Sequence, residues 1–148
     1  MAATARCAIL ADEFKRAADR ELDTAIDLAA IGKDWQSVYW HAGFAVENML
    51  KAIRIKNDGL EEWPLEDRNA KWHDIEYITE RTGIKERLKY ERKRKSFAAN
   101  WLTVKDWDQS RRYPGNAVTK SEAVDLLHAI RSPTNGVMAC LRQIYQSI

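Results

Sequence analysis

Three groups of residues in this sequence have the types and spacing that could do chemistry. The first lies in the stretch from Asp34 to Lys56, DWQSVYWHAGFAVENMLKAIRIK, where Trp40, Phe44, Glu47 and Lys51 follow one another at three- and four-residue steps. On an α-helix these residues share one face, with the acid and the base four apart in the order that favours an ion pair. The second group is Ser110-Arg111-Arg112-Tyr113-Pro114-Gly115. Two guanidiniums beside an aromatic ring can clamp a phosphate and stack a base, and turn residues leave backbone N–H groups free for an anion. The same residues also read as a loop packed on the body through Tyr113-Pro114, with its arginines solvated. The third group is Arg68 with His73 five positions on, a cation and a titratable base in one loop. Loops often produce that spacing by chance.

Charge is unevenly distributed. The formal net charge is only +2, yet residues 85–112 hold ten basic against four acidic side chains. Arg92 and Lys93 lie in the densest part of that block. Together with Arg111, Arg112 and Tyr113 they are the expected contact surface for the phosphates of RNA or a nucleotide. A solvated helix face is the plainer reading of the same run.

Other chemistries find less support. His41, His73 and His128 are far apart in the chain, and no His-x3-His or Cys-x2-Cys pair occurs, so no metal site is expected. There is no glycine-rich phosphate loop and no Gly-x-Ser-x-Gly elbow, and no cofactor is expected. Cys7 and Cys140 do not make a disulfide framework. No apolar run approaches the roughly 18–20 residues of a membrane span, and no signal-peptide core is seen. The expectation is a cytoplasmic protein without a membrane partner.

The elements that must position these groups are helical. With 148 residues and 45% hydrophobic content, the chain is read as one domain, residues 1–148, able to bury a core. Ala11, Phe14, Ala18, Leu22, Ala25 and Leu28 form the stripe of a first helix over Ala8–Ala30, closed by Gly32. Asp34 is the N-cap of a central helix that ends at Asn57-Asp58-Gly59. The short connection between them makes the two helices antiparallel neighbours. Because Trp40 and Phe44 point away from the central helix's main stripe, its second face is expected to meet a ligand or a partner subunit. We expect a homodimer there.

A loop over Leu60–Lys71 precedes a short helix from about His73 to Arg81. Ile84–Val104 reads as a weakly amphipathic helix whose middle is nearly all charge, and Asp106–Val118 as irregular. Thr119-Lys-Ser-Glu122 is a capping box. Beyond it Ala123, Leu127, Ile130, Thr134, Val137, Leu141, Ile144 and Ile148 keep one phase across Pro133. That phase predicts one kinked helix, although Ser132-Pro133 could equally start a new one. No strand signal is present. The expected fold is an all-α antiparallel bundle of about five helices with a kinked last helix.

The pieces HAGFAVENMLKAI, WHDIEYI and SRRYPG, followed by an alanine-bearing last helix, resemble the HEPN superfamily of small helical bundles. The likeness lies in Glu47 with Leu50-Lys51-Ala52, in His73-Asp74-Ile75, and in Arg112-Tyr113-Pro114, in that order, over about Asp12 to Ile144. It implies a dimeric bundle that binds or acts on RNA or nucleotides. Such a protein would belong to a prokaryotic toxin–antitoxin or defence-type two-component system with a nucleotidyltransferase-like partner. The alternative it implies is a metal-independent endoribonuclease toxin. Ribonucleases of this kind carry Arg-x4–6-His near the start of the last helix, and neither Arg111 nor Arg112 has such a histidine. Arg68 and His73 have the spacing but precede the third helix, so they are the candidate catalytic pair in an unusual place. A module binding only another protein is a third reading.

Overall fold

The computed structural model describes residues 4–91 and 93–148, and among them every regular element is a helix. The first, α1 (Ala5–Ile31), and the second, α2 (Trp35–Asp58), form the frame. Gly32 ends α1 in the left-handed conformation, φ 75°, which a residue without a Cβ adopts freely. Asp34 then caps α2 by accepting the Ser37 N–H. The Cys7 thiol donates to the Ile55 carbonyl at one end, and Glu21 pairs with His41 further along. Numbers rise along one helix as they fall along the other, so α1 and α2 are antiparallel, as expected.

Helix α2 is the centre of the core. Val38, Ala42, Ala45, Met49 and Ile53 are fully buried, and so are Val46 and Leu50 beside them. Burying a side chain such as Leu50 or Ile53 contributes about 1.5–3 kcal/mol. That is far more than any helix propensity in the segment, so packing decides where α2 sits. Four further helices close around it: α3 (Ile75–Arg81), α5 (Lys95–Lys105), α6 (Lys120–Arg131) and α7 (Val137–Gln146), with α4 (Lys85–Glu91) at the edge. The capping box of α6 is formed, with Thr119 and Glu122 bonding each other's backbone N–H. No described helix is long and apolar enough to cross a membrane.

The helix count departs from the expectation of five: seven α-helices stand among the described residues. The segment Ile84–Val104 is two helices, α4 and α5; Lys93, Arg94, Lys95 and Ser96 between their buried residues are exposed and supply no packing that would hold one axis straight. The last helix is not kinked but divided. Pro133 has no N–H to continue α6, and the Gly136 N–H bonds back to the Ser132 carbonyl at 2.9 Å. A Cβ on Gly136 would lie 2.3 Å from that oxygen, so glycine permits the tight turn that starts α7. The unbroken phase across Pro133 arises because Leu127, Ile130, Val137, Leu141 and Ile144 all fill one core. Thr134, read as part of the stripe, is exposed. The third helix starts at Ile75 rather than His73. Asp74 is its N-cap, and His73 closes a preceding 3₁₀ turn, Ala70–His73.

Gly43 is where α2 meets the segment after α5. The Trp107 indole lies against it, held by donation from Nε1 to the Tyr39 carbonyl at 3.2 Å. A Cβ at Gly43 would fall 2.1 Å from the ring. On a free helix Gly→Ala stabilises by about 1 kcal/mol. Here overpacking, at about 1–3 kcal/mol, outweighs that gain. Gly43→Ala is therefore expected to lower the urea midpoint, and a raised midpoint would show that Trp107 does not pack on Gly43.

Candidate functional site

Glu47 has no exposed surface, so its carboxylate needs donors from inside the fold. Lys51, one turn along α2, gives Nζ at 3.0 Å, and His73 gives Nδ1 at 2.7 Å. A carboxylate is acceptor-only, so it places the imidazole proton on Nδ1. Nε2 then has no protein partner among the described residues, and the ring is partly open to solvent. His73 is fixed between two caps: Asn69 accepts the Lys71 N–H before it, and Asp74 accepts the Tyr77 N–H after it.

The loop that brings His73 to α2 is held a second time by aromatic rings. Buried Trp72 meets Trp63 edge-on at 4.8 Å and Tyr77 at 5.5 Å. The Arg54 guanidinium lies 5.3 Å from the Trp63 ring centroid and 4.6 Å from that of Trp72, and it also pairs with Asp67. These contacts cover much of the second face of α2. Ile55 is buried beneath α1, and Trp40 and Phe44 stack on each other at 4.8 Å, half-buried. The chain's own loop thus covers the Glu47 and Lys51 end of that face, while Trp40 and Phe44 keep part of their surface open.

The arginine segment forms a 3₁₀ turn, Gln109–Arg112, capped by Asp108. Gln36 of α2 donates Nε2 to the carbonyls of Arg111 at 2.6 Å and Tyr113 at 3.1 Å. The two arginines then part. Arg111 binds Glu122 through both oxygens, at 2.8 and 3.1 Å, and lies over the Tyr39 ring. It is a clamp between loop and α6 and does not line a cleft. Arg112 is exposed, with Nη2 donating to the Tyr113 hydroxyl at 2.7 Å.

Lys51, Arg68, His73, Gln109, Arg112 and Tyr113 line one cleft of about 500 Å³. All three sequence groups thus contribute to it. Its one lining carboxylate is Asp67, which pairs with Arg54, and Arg68 and Arg112 bring exposed guanidiniums, so the cleft favours an anion. Lys93 is exposed and lines no part of it, and Arg92 lies outside the described residues. Gln36, Trp63 and Gln109 escaped the sequence reading. Trp63 falls within the Leu60–Lys71 loop, where no periodicity marks it. Among the described residues no three His, Cys, Asp or Glu side chains converge as metal ligands. The chain matches no protein-family model, no curated protein and no solved structure, so the roles given to these residues rest on geometry.

The clamp carries a pH signature. Hydrogen bonds from Arg111, with help from the Thr119 N–H, pull the Glu122 carboxyl down to about 2 from its usual 4.5. A depressed carboxyl stabilises the fold fully above its unfolded value, and that share is lost as pH falls from about 4.5 towards 2. In chemical unfolding followed by circular dichroism, Arg111→Met should therefore lose less stability across that window than the parent. Parallel pH curves would mean that the pair does not form in solution.

Proposed function

We propose that this chain binds RNA or a nucleotide in the cleft between α2, the His73 loop and the Arg112 turn. The observation that carries the reading is the convergence of Lys51, Arg68 and Arg112 from three separate stretches beside Trp63 and Tyr113. Cations fix phosphate, and aromatic faces accept bases of single-stranded RNA, which duplex grooves would withhold. The resemblance to HEPN bundles supports the same ligand class. On that resemblance the proposed setting is a prokaryotic toxin–antitoxin or defence-type pair with a nucleotidyltransferase-like partner.

A specific feature favours a second reading, the metal-independent endoribonuclease. Glu47 orients His73 through Nδ1 and would stabilise its imidazolium, and with Nε2 turned to the cleft the ring would act as a base. In that reaction Nε2 takes the proton of a ribose 2′-hydroxyl. The 2′-oxygen bonds to phosphorus, the bond to the 5′-oxygen breaks, and the departing oxygen takes a proton from water. Lys51 and Arg112 would balance charge on the phosphoryl oxygens.

Fluorescence anisotropy with a single-stranded oligoribonucleotide tests the first reading. Arg68→Ala and Arg112→Ala should each weaken binding and make the salt dependence shallower by about 0.7 per lost phosphate contact. Lys93→Ala should leave the affinity at fixed salt close to that of the parent. If the Arg68→Ala, Arg112→Ala double variant folds normally and binds as the parent does, the cleft is not the site. For the second reading, the parent should release a 2′,3′-cyclic phosphate end from the same oligonucleotide. His73→Gln should stop that release while binding persists.

A further inference from the structure

Arg112 and Tyr113 form a wall shared by the cleft and a second pocket of about 330 Å³. The other side of this pocket is the start of α2, where Asp34, Gln36, Ser37 and Trp40 come to one face at steps of two, one and three residues. Phe44 is stacked on Trp40 at an interplanar angle of 22°, which holds the indole in place. The Arg112 guanidinium lies 5.6 Å from the indole centroid.

The hydrogen-bonding character of the pocket follows from bonds already made. Both donations of the Gln36 amide nitrogen go to the Arg111 and Tyr113 carbonyls, which fixes the amide orientation and leaves Oε1 as an acceptor. The Ser37 hydroxyl donates to Asp34 Oδ2, so it too offers only lone pairs. Asp34 accepts from the Ser37 N–H and hydroxyl, and each carboxylate oxygen keeps a further lone pair. Its carboxyl is held below the ordinary range, first by the Ser37 hydroxyl, so it accepts and does not donate at neutral pH. The α2 side of the pocket is therefore an aromatic surface beside the acceptors of Asp34, Gln36 and Ser37.

We infer that this pocket takes a guanine base whose phosphate lies across Arg112 in the neighbouring cleft. Guanine presents N1–H and the N2 amine side by side, two donors that a carboxylate can accept together. Adenine and cytosine each set an acceptor beside their amine, which would face Asp34 unfavourably, and uracil offers one donor. The purine ring also covers more of an indole than a pyrimidine does. Arg112 belongs to both compartments, so a single side chain ties base and phosphate of one nucleotide together. The inference rests on the proposed RNA- or nucleotide-binding reading and specifies what that site selects.

The test uses labelled hexauridylates carrying one central guanosine, adenosine or inosine. Two extra hydrogen bonds to a charged acceptor should make the guanosine oligonucleotide bind roughly tenfold tighter than the adenosine one. Inosine lacks the N2 amine and should fall between them. Asp34→Asn keeps the helix cap, since asparagine caps as well as aspartate, but replaces one acceptor with a donor. That variant should melt like the parent and lose the preference for guanosine, because its amide offers one donor and one acceptor, the pattern that adenine matches. Equal binding of all three oligonucleotides by the parent overturns the guanine assignment while leaving the anion cleft in place. Should Asp34→Asn retain the full preference, the assignment to this pocket is overturned as well. Failure of any oligonucleotide to bind at low salt overturns both the assignment and the cleft reading.

Discussion

A carboxylate sealed from water must be answered by donors of its own fold, and Glu47 draws them from two directions. Lys51 comes from the same helix, and His73 from a loop twenty-six positions on. Removing one member of a buried ionic group typically costs about 3–5 kcal/mol, because the remaining charge is left unanswered. That is a large part of the stability of a domain this size. The loop from Leu60 to Asp74, which contains little regular structure of its own, is thereby obliged to close on α2. The Trp63, Trp72 and Arg54 contacts then hold it at a second point.

The Arg112 turn is fastened by the same logic with different groups. Gln36 occupies two carbonyls of the turn, Arg111 reaches Glu122 on α6, and the Asp108 N–H donates to the Tyr39 hydroxyl at 3.0 Å. Both walls of the cleft are thus set before any ligand arrives. A preformed site avoids the ordering cost that mobile loops incur on binding. The exposed side chains Arg68 and Arg112 are what remains free to adjust. One imidazole joins loop and cleft: its Nδ1 closes the loop on Glu47, and its ring is part of the cleft lining.

How much of this the sequence disclosed depends on the range of the interaction. The caps at Asp34 and Thr119, the glycine stop at Gly32 and the α1–α2 hairpin are local, and they were readable. The division at Pro133 was not, because Leu127 and Val137 share a core whether or not one axis joins them. Periodicity showed that the second face of α2 is covered, but it could not say by what. The chain's own loop covers it at Glu47 and Lys51, and leaves Trp40 and Phe44 partly exposed. Arg111 and Arg112 are neighbours of one type with opposite fates. What separates them is Glu122, already visible as half of a capping box, whose carboxylate also receives the guanidinium. Gly43 gave no signal at all, since the ring that needs it is on Trp107.

The placement of positive charge separates two roles that a count along the sequence merges. Between 85 and 95, Lys85, Arg87, Lys89, Lys93, Arg94 and Lys95 are exposed, and none lines the cleft. Beyond a Debye length of about 8 Å at physiological salt, such charges act weakly on a bound phosphate. They can still draw a polyanion towards the chain, because encounter samples the field of the whole surface. Holding a phosphate in one place requires few cations, fixed in geometry and partly dried by neighbours. Lys51 lines the cleft with a side chain only 13% exposed, its charge already answered by the buried Glu47 carboxylate. The richest basic run is therefore suited to attraction, while the two exposed guanidiniums that line the cleft, Arg68 and Arg112, come from outside that run.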